Sequence, residues 1–420
     1  MTTRLQWLLL QFVRKLWVRA TAFSVLAVGT ALLAVAVKRY IPADLSTKIG
    51  ANAVDSLLSI VATSMLTVTV FSLSTLVAAL GSATSNVTPR ATHLLTQDNT
   101  AQNALATFVG AFLFSLVGII ALQTGLYGSR GRVVLYVVTL AVIALVVGTL
   151  LKWIDHVSKL GRVGETTGRV EDAATKAMKR RHENPYLGAA AFAPEDCVPD
   201  GAVPVFASRM GYVEHIDMEA LAASCDEGRR IYVNLLPGGY ADPDRPLACI
   251  CGPCDPDACD DVRSAFSMSN IRSFDQDPRF GASVLSEIAS RALSPAVNDP
   301  GTAIDVLGRA GRVLAVWASP PPEKAGEVKY PRVYAPPVLL DDLFDDVFTP
   351  IARDGASTVE VAIRLQKTLR TLSRLGDGSY RAAALRHSAL ALERCELALT
   401  LPDDLRRVRE VAAEIQSARG

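Results

Sequence analysis

Charge is what this chain lacks over long stretches. No Asp, Glu, Lys or Arg occurs from Ala20 to Val37, from Ser56 to Leu80, from Ala104 to Leu126 or from Val133 to Leu151. A run of about 18 apolar residues can cross a hydrocarbon core of about 30 Å. Four such runs in succession argue against buried helices of a soluble protein. Half of the 420 residues are hydrophobic and the mean hydropathy is +0.26, with the excess concentrated before Lys152. Because no ionisable side chain lies in the middle of a run, the sequence argues against a proton relay or a charge-coupled pump, and leaves a passive channel open. The net charge is only +1, so no global basic field points to nucleic acid. Histidine is scarce, at five. No GxxxxGKS/T loop, HExxH helix, GxSxG elbow or kinase signature is present, and the chain reads as a non-enzyme with no cofactor.

What is there is a membrane α-helical domain of about four transmembrane helices, followed by a cytoplasmic α+β region with a small β-barrel-like module and C-terminal helices. The spans are about Ala20–Val37, Val54–Leu80, Ala104–Leu126 and Val133–Trp153. The corresponding boundaries are 1–155 for the membrane domain, 156–200 for a stalk and linker and 201–260 for the β module. A helical hairpin over 261–318, a Pro-rich linker over 319–340 and C-terminal helices over 341–420 complete the chain. Leu5, Leu8, Leu9, Phe12 and Trp17 interleave with Arg4, Arg14, Lys15 and Arg19, which predicts an interfacial helix leading into a retained first span. Basic residues are denser before span one, and after span four from Lys152 to Arg181, than in the Lys38–Lys48 and Arg130–Arg132 loops. The positive-inside rule then puts both termini in the cytoplasm. Trp17, Tyr40, Tyr127 and Trp153 fall at span ends, as an aromatic belt requires.

Span two differs from the others in its hydroxyls. Ser56, Ser59, Thr63, Thr67 and Ser74 share one helical face. Two readings stay open: tight helix packing across small residues, or a hydrophilic path lining a pore.

In the second part, Val203 and Val205, Tyr212–Ile216, Ile231–Leu236 and Leu247–Cys251 are β-prone, with Pro237-Gly238-Gly239 as a turn and Met218–Ala223 as a short helix. Gly211-Tyr212-Val213 followed by Pro237-Gly238 resembles the flattened barrel of lipoyl domains. Val203–Cys251 contains no lysine to carry such a group, which disfavours a carrier role. Asp277-Pro278 and Asp299-Pro300 each pair an N-cap with a proline at the first helical position. They predict a helix with Phe280, Val284, Leu285, Ile288 and Ala292 on its apolar face, and a second helix running to Trp317.

The seven cysteines all follow the last span, a clustered, odd set that makes a poor disulfide framework. Cys249, Cys251, Cys254 and Cys259 could surround one tetrahedral metal. Against that, C-x-C-x-x-C-x-x-x-x-C is not a zinc-ribbon spacing, and two strand thiols followed by a polar turn account for it equally. Ser294 and Asn298 have no base nearby in sequence, and nothing local requires them; a structural or subunit-contact role is the reading there. His93 and His156 read as interfacial side chains.

Four stretches carry a family resemblance: Ser85-Asn86-Val87-Thr88-Pro89-Arg90, then Asp98 to Gln102 with Leu105, Phe108, Gly110 and Phe112, then Arg272 to Gly281, then Ala289 to Ile304 with A-S-R-A-L-S-P-A-V-N-D-P-G-T-A-I. Together they resemble the bacterial predicted-membrane-protein family called domain of unknown function 2254. The resemblance implies a location in the bacterial inner membrane and supplies no mechanism. The expectation is a homo-oligomer in contact with membrane lipids, forming a passive pathway for an ion or small solute. The alternative is a non-conducting scaffold or signalling protein that binds partners through its cytoplasmic domain.

Overall fold

The computed structural model describes residues 16–37, 51–96, 98–124, 128–193, 196–225, 228–319 and 327–417. The leader from Leu5 to Phe12, the Lys38–Lys48 loop with Tyr40, Tyr127 and the run Pro320–Pro322 lie outside the described residues, as does the side chain of His93. The described chain divides into two compact units. One holds 16–85 and 92–165; the other holds 86–91 and 166–417.

The first unit is helical: α1 (Leu16–Val37), α2 (Ala51–Asn86), most of α3 (Pro89–Thr96), α4 (Asn99–Gln123) and α5 (Gly128–Lys159). Among the described residues three helices are long and apolar enough to cross a membrane, over Ala53–Ser82, Asn99–Gln123 and Gly131–Lys159. The four-span expectation is therefore met for three. In α1, whose helix has 22 residues, the apolar stretch identified runs over Ala20–Thr30. The centre of the unit is α4. Its small residues let neighbours approach: a Cβ on Gly110 would lie 3.4 Å from the Phe23 carbonyl oxygen, and one on Gly118 would lie 3.1 Å from Leu58. From α2, Val54, Leu58, Val61, Met65 and Leu76 pack inward beside Phe108, Phe114, Leu135 and Trp153.

Asp98 starts α4 by accepting from the backbone N–H groups of Thr100 (2.7 Å) and Ala101 (3.0 Å). His156 reaches the same carboxylate at 3.0 Å, and its side chain is 14% exposed. The break after α5 falls at Gly161, whose φ of +78° is natural only to glycine. A new helix, α6 (Val163–Glu183), then starts.

The second unit carries β1 (Ala189–Ala191), β2 (Val203–Val205), β3 (Gly211–Ile216), α7 (Met218–Ala223), β4 (Arg230–Val233), β5 (Tyr240–Ala241), β6 (Ala248–Cys251), α8 (Pro256–Ser264), β7 (Phe266–Ser269) and β8 (Tyr330–Ala335). They make two open sheets, one of order β1-β8-β4-β6-β2 and one of order β5-β3-β7. The expected barrel is corrected here, because neither sheet closes. Strand β8, from the stretch read as linker, enters the larger sheet parallel to β4 and β1, while β3 pairs with β5 and β7 in the separate sheet. Ile231, Val233, Ile250 and Val333 share a buried core with Val213, Ile216 and Phe266.

The remaining helices are α9 (Pro278–Ala292), α10 (Pro300–Trp317), α11 (Leu340–Asp354), α12 (Val359–Leu372), α13 (Gly378–Ala398) and α14 (Pro402–Ser417). They stack so that α9 packs on α10 and α11, α10 on α12, α11 on α13, and α12 on α13 and α14. Phe344 and Phe348 of α11 are fully buried. The Tyr380 hydroxyl donates to the Leu314 carbonyl at 2.9 Å, and Gln366 and Ser388 exchange hydrogen bonds of 3.0 and 2.6 Å. These bonds satisfy buried polar groups that would otherwise be costly.

Candidate functional site

All five hydroxyl residues singled out on α2 are exposed: Ser56, Ser59, Thr63, Thr67 and Ser74. The opposite face carries the inward-packing Val54, Leu58, Val61, Met65 and Leu76. Helical periodicity explains the division, since the two sets lie about half a turn apart. Packing among the described residues therefore leaves the hydroxyl face uncovered. The Thr63 hydroxyl donates to the Ser59 carbonyl (2.9 Å) and that of Thr67 to the Thr63 carbonyl (3.0 Å). These bonds satisfy the donors locally, and each oxygen keeps lone pairs that point outward. Val70, Phe71 and Val77 are exposed as well, so the polar face gives way to an apolar one past Thr67, with Ser74 isolated beyond it.

The four thiols do not converge. Ile250 faces the sheet's core, so alternation along β6 sends Cys249 and Cys251 to the other face. There Cys249 lies opposite Tyr232, which stacks on Tyr334 with ring centroids 4.7 Å apart. Cys254 and Cys259 pack instead against the core, with sulfurs 3.3 Å apart. Burial and the neighbouring Cys259 push the Cys254 thiol up to about 11. Among the described residues no group of three or more His, Cys, Asp or Glu is placed to hold a metal ion. The proposed tetrahedral set is thus split two and two, because the last cysteine sits on α8, a helix started by the Asp255 side chain.

Both predicted caps form. Asp299 accepts from the Thr302 N–H at 3.1 Å and from its hydroxyl at 2.6 Å. These bonds hold its carboxyl below the usual range. Asp277 accepts from the Phe280 N–H at 3.1 Å and also takes both prongs of the Arg272 guanidinium, at 2.7 and 3.1 Å. Asp277 is 3% exposed, as is Arg181, whose charge also acts on it. Burial lowers Arg181 to about 10, which leaves it cationic at neutral pH. Ser294 and Asn298 do have local reasons. The Ser294 hydroxyl donates to the Arg291 carbonyl at 2.7 Å, and Asn298 takes the left-handed conformation (φ 48°) that turns the chain into α10.

Around these caps, α9 is the hub of the second unit. Arg279 clamps Asp346 (2.7 and 3.1 Å) and Asp342 (2.6 Å) of α11. Gly281 lies against Ala174 of α6, closely enough that a Cβ would sit 2.7 Å from the Ala174 Cα. Glu171 of α6 receives Arg309 (2.8 Å) and Arg312 (2.6 Å) from α10. Burial works to raise the Glu171 carboxyl, yet the two guanidiniums hold it below the usual range. Glu287 of α9 binds Arg90 at 2.8 Å and accepts from the Thr88 hydroxyl at 3.1 Å. A cavity of about 390 Å³ opens beside this contact, with Arg291 and Arg353 on its walls. The sequence does not single out Arg291 and Arg353; its one clue is that Thr88, Arg90 and Arg291 stand in stretches that carry the family resemblance, which the fold brings together.

A family model described as predicted membrane protein (DUF2254) matches residues 13–371. No curated protein and no solved structure matches the chain.

Proposed function

The chain belongs to this family of predicted membrane proteins, and from that premise we propose that it is a homo-oligomer of the bacterial inner membrane whose protomers meet along the hydroxyl face of α2 and enclose a passive path for an ion or small solute. One observation carries the reading. Five Ser and Thr side chains of a helix long and apolar enough to cross a membrane face away from the other described helices of the unit. Facing lipid, such a face gains nothing from its oxygens. Against a second copy, small side chains permit close approach, and around an axis their lone pairs can replace part of an ion's hydration.

In this reading α1 is the fourth span. Its 22 residues reach about 33 Å at 1.5 Å per residue, and four crossings return both termini to the side where basic residues are densest. The second unit then lies in the cytoplasm. Lys and Arg are absent from Ser56 to Leu80, so selectivity rests on width and on charges at the mouths, with Asp55 at one end of the stripe.

The non-conducting scaffold has its own support. Thr63, Thr67 and Thr75 all donate to their own helix, and Val70 and Phe71 interrupt the stripe. Liposome flux and subunit count on the same purified protein separate the two. Flux above empty liposomes together with more than one subunit supports the pathway. Oligomers without flux support the scaffold. Monomers without flux remove both.

A further inference from the structure

Three guanidiniums converge on the cavity beside α9, each from a different element: Arg90 from α3, Arg291 from the last turn of α9 and Arg353 from the last turn of α11. Among the described residues Glu287 is the only acidic side chain on the walls. It is engaged by Arg90 at 2.8 Å and by the Thr88 hydroxyl at 3.1 Å. Arg353 is paired with Asp354 at 2.7 Å; that contact and the Ser290 hydroxyl hold Asp354 below the usual carboxylate range. For Arg291 no acidic partner is found among the described residues, and its Nε is buried without a hydrogen bond. A partly buried cation left without a counter-charge is costly. Arg90 is offset by Glu287 and Arg353 by Asp354, so the uncompensated charge is that of Arg291, and it borders an open cleft of about 390 Å³. That volume lies in the range of small-molecule sites.

We propose that this cavity binds a phosphate-bearing anion of small-molecule size, with Arg291 as the main charge partner and Arg353 and Arg90 closing over it from the rim. A guanidinium presents N–H groups in a fixed fork that matches phosphate oxygens. The Thr88 hydroxyl already donates to Glu287, so the oxyanion's hydrogen bonds fall to the guanidinium N–H groups. Thr88 and Arg90 follow the end of α2 at Asn86 by two and four residues. An occupant would therefore fasten the segment directly after the hydroxyl-bearing helix to α9 and α11. The site stands whether or not α2 lines a path, because it rests on the arginines alone. A soluble phosphate compound and a phospholipid headgroup share this chemistry.

The test is thermal unfolding of the full-length protein in uncharged detergent, titrated with inorganic phosphate and, separately, with short-chain phosphatidic acid, at constant ionic strength set by sodium chloride. The wild type should gain Tm with at least one of them. Arg291→Gln should weaken the apparent Kd at least tenfold without lowering Tm in the absence of anion, because it removes a cation that has no partner. Arg353→Gln should weaken binding less, and Arg312→Gln, whose guanidinium serves Glu171 elsewhere, should leave it unchanged. A response to inorganic phosphate that Arg291→Gln removes assigns a soluble ligand. A response to phosphatidic acid alone, again removed by Arg291→Gln, assigns a lipid headgroup. No response to either anion overturns the proposal, as does an equal response in the Arg291→Gln protein. A fall in Tm of Arg291→Gln without anion, equal to its fall with anion, makes the guanidinium structural and overturns it too.

Discussion

Asp277 and Asp299 stand in the same local grammar, Asp-Pro at the start of a helix, yet neutralising them should have very different effects. Asparagine caps a helix about as well as aspartate, so Asp→Asn spares the cap and removes only the charge. At Asp299 the carboxylate is exposed and bonded only to Thr302 and the helix backbone. Asp299→Asn should therefore stay within about 0.5 kcal/mol of wild type. At Asp277 the substitution leaves Arg272, 22% exposed, and Arg181, 3% exposed, without their carboxylate. Breaking one half of a buried ion pair costs about 3–5 kcal/mol. At roughly 2–4 °C per kcal/mol for a domain of this size, Tm should fall by about 6–20 °C. Burial raises the Asp277 carboxyl while Arg272 pulls it back, so the intact pair is worth much less than either half is costly to orphan. The double variant Asp277→Asn with Arg272→Met should accordingly lose clearly less than the sum of the single losses. The assay is thermal unfolding of the full-length protein in detergent. If Asp277→Asn and Asp299→Asn unfold within about 0.5 kcal/mol of each other, the buried-pair reasoning is wrong and Asp277 is only a cap.

Gly281→Ala drives a Cβ into the Ala174 backbone of α6 and should cost about 1–3 kcal/mol of stability; an unchanged Tm would show that α6 and α9 do not pack this closely. His387, buried beside Phe344 and Phe348 and facing Arg386, Asp345 and Asp341, is pushed by burial to about 4. With an unfolded value near 6.5, the unfolded chain binds the extra proton between those two pH values, so stability is lost as pH falls from about 6.5 towards 4. His387→Gln should show a smaller acid loss than wild type, and equal pH profiles would remove this account. Cys249, Cys251, Cys254 and Cys259 should hold no shared metal, so anaerobically purified protein should contain well under one equivalent of zinc or iron; a stoichiometric metal would mean that the two thiol pairs come together.

Much of the fold was legible because its signals are local. The Asp277-Pro278 and Asp299-Pro300 caps set the starts of α9 and α10, and the C-terminal helices expected over 341–420 are α11 to α14. The same grammar at Asp255-Pro256 starts α8, but the cysteines on either side drew the reading towards a polar turn. The barrel was misread because sheet membership is not local. Nothing near Val203–Cys251 announces that Tyr330–Ala335, some eighty residues on, will run parallel to β4. For the candidate site, the α2 stripe could be read from spacing, and the direction it faces could not, since that depends on which side α4 occupies. Arg291 and Arg353 lie on different helices, and only the α9–α11 packing brings them to one cavity.

The central claim is that the exposed hydroxyl face of α2 lines a path, and cysteine block tests it most directly. Thr63→Cys, Thr67→Cys and Met65→Cys proteins would be reconstituted into liposomes, and flux measured before and after a membrane-impermeant charged thiol reagent. Wild-type protein, with its seven native cysteines, sets the background. The account predicts flux in all four proteins, with strong block in Thr63→Cys and Thr67→Cys. The buried Met65 position should be blocked no more than wild type. Absence of flux above empty liposomes, or block that is equal at Met65 and Thr63, would contradict it.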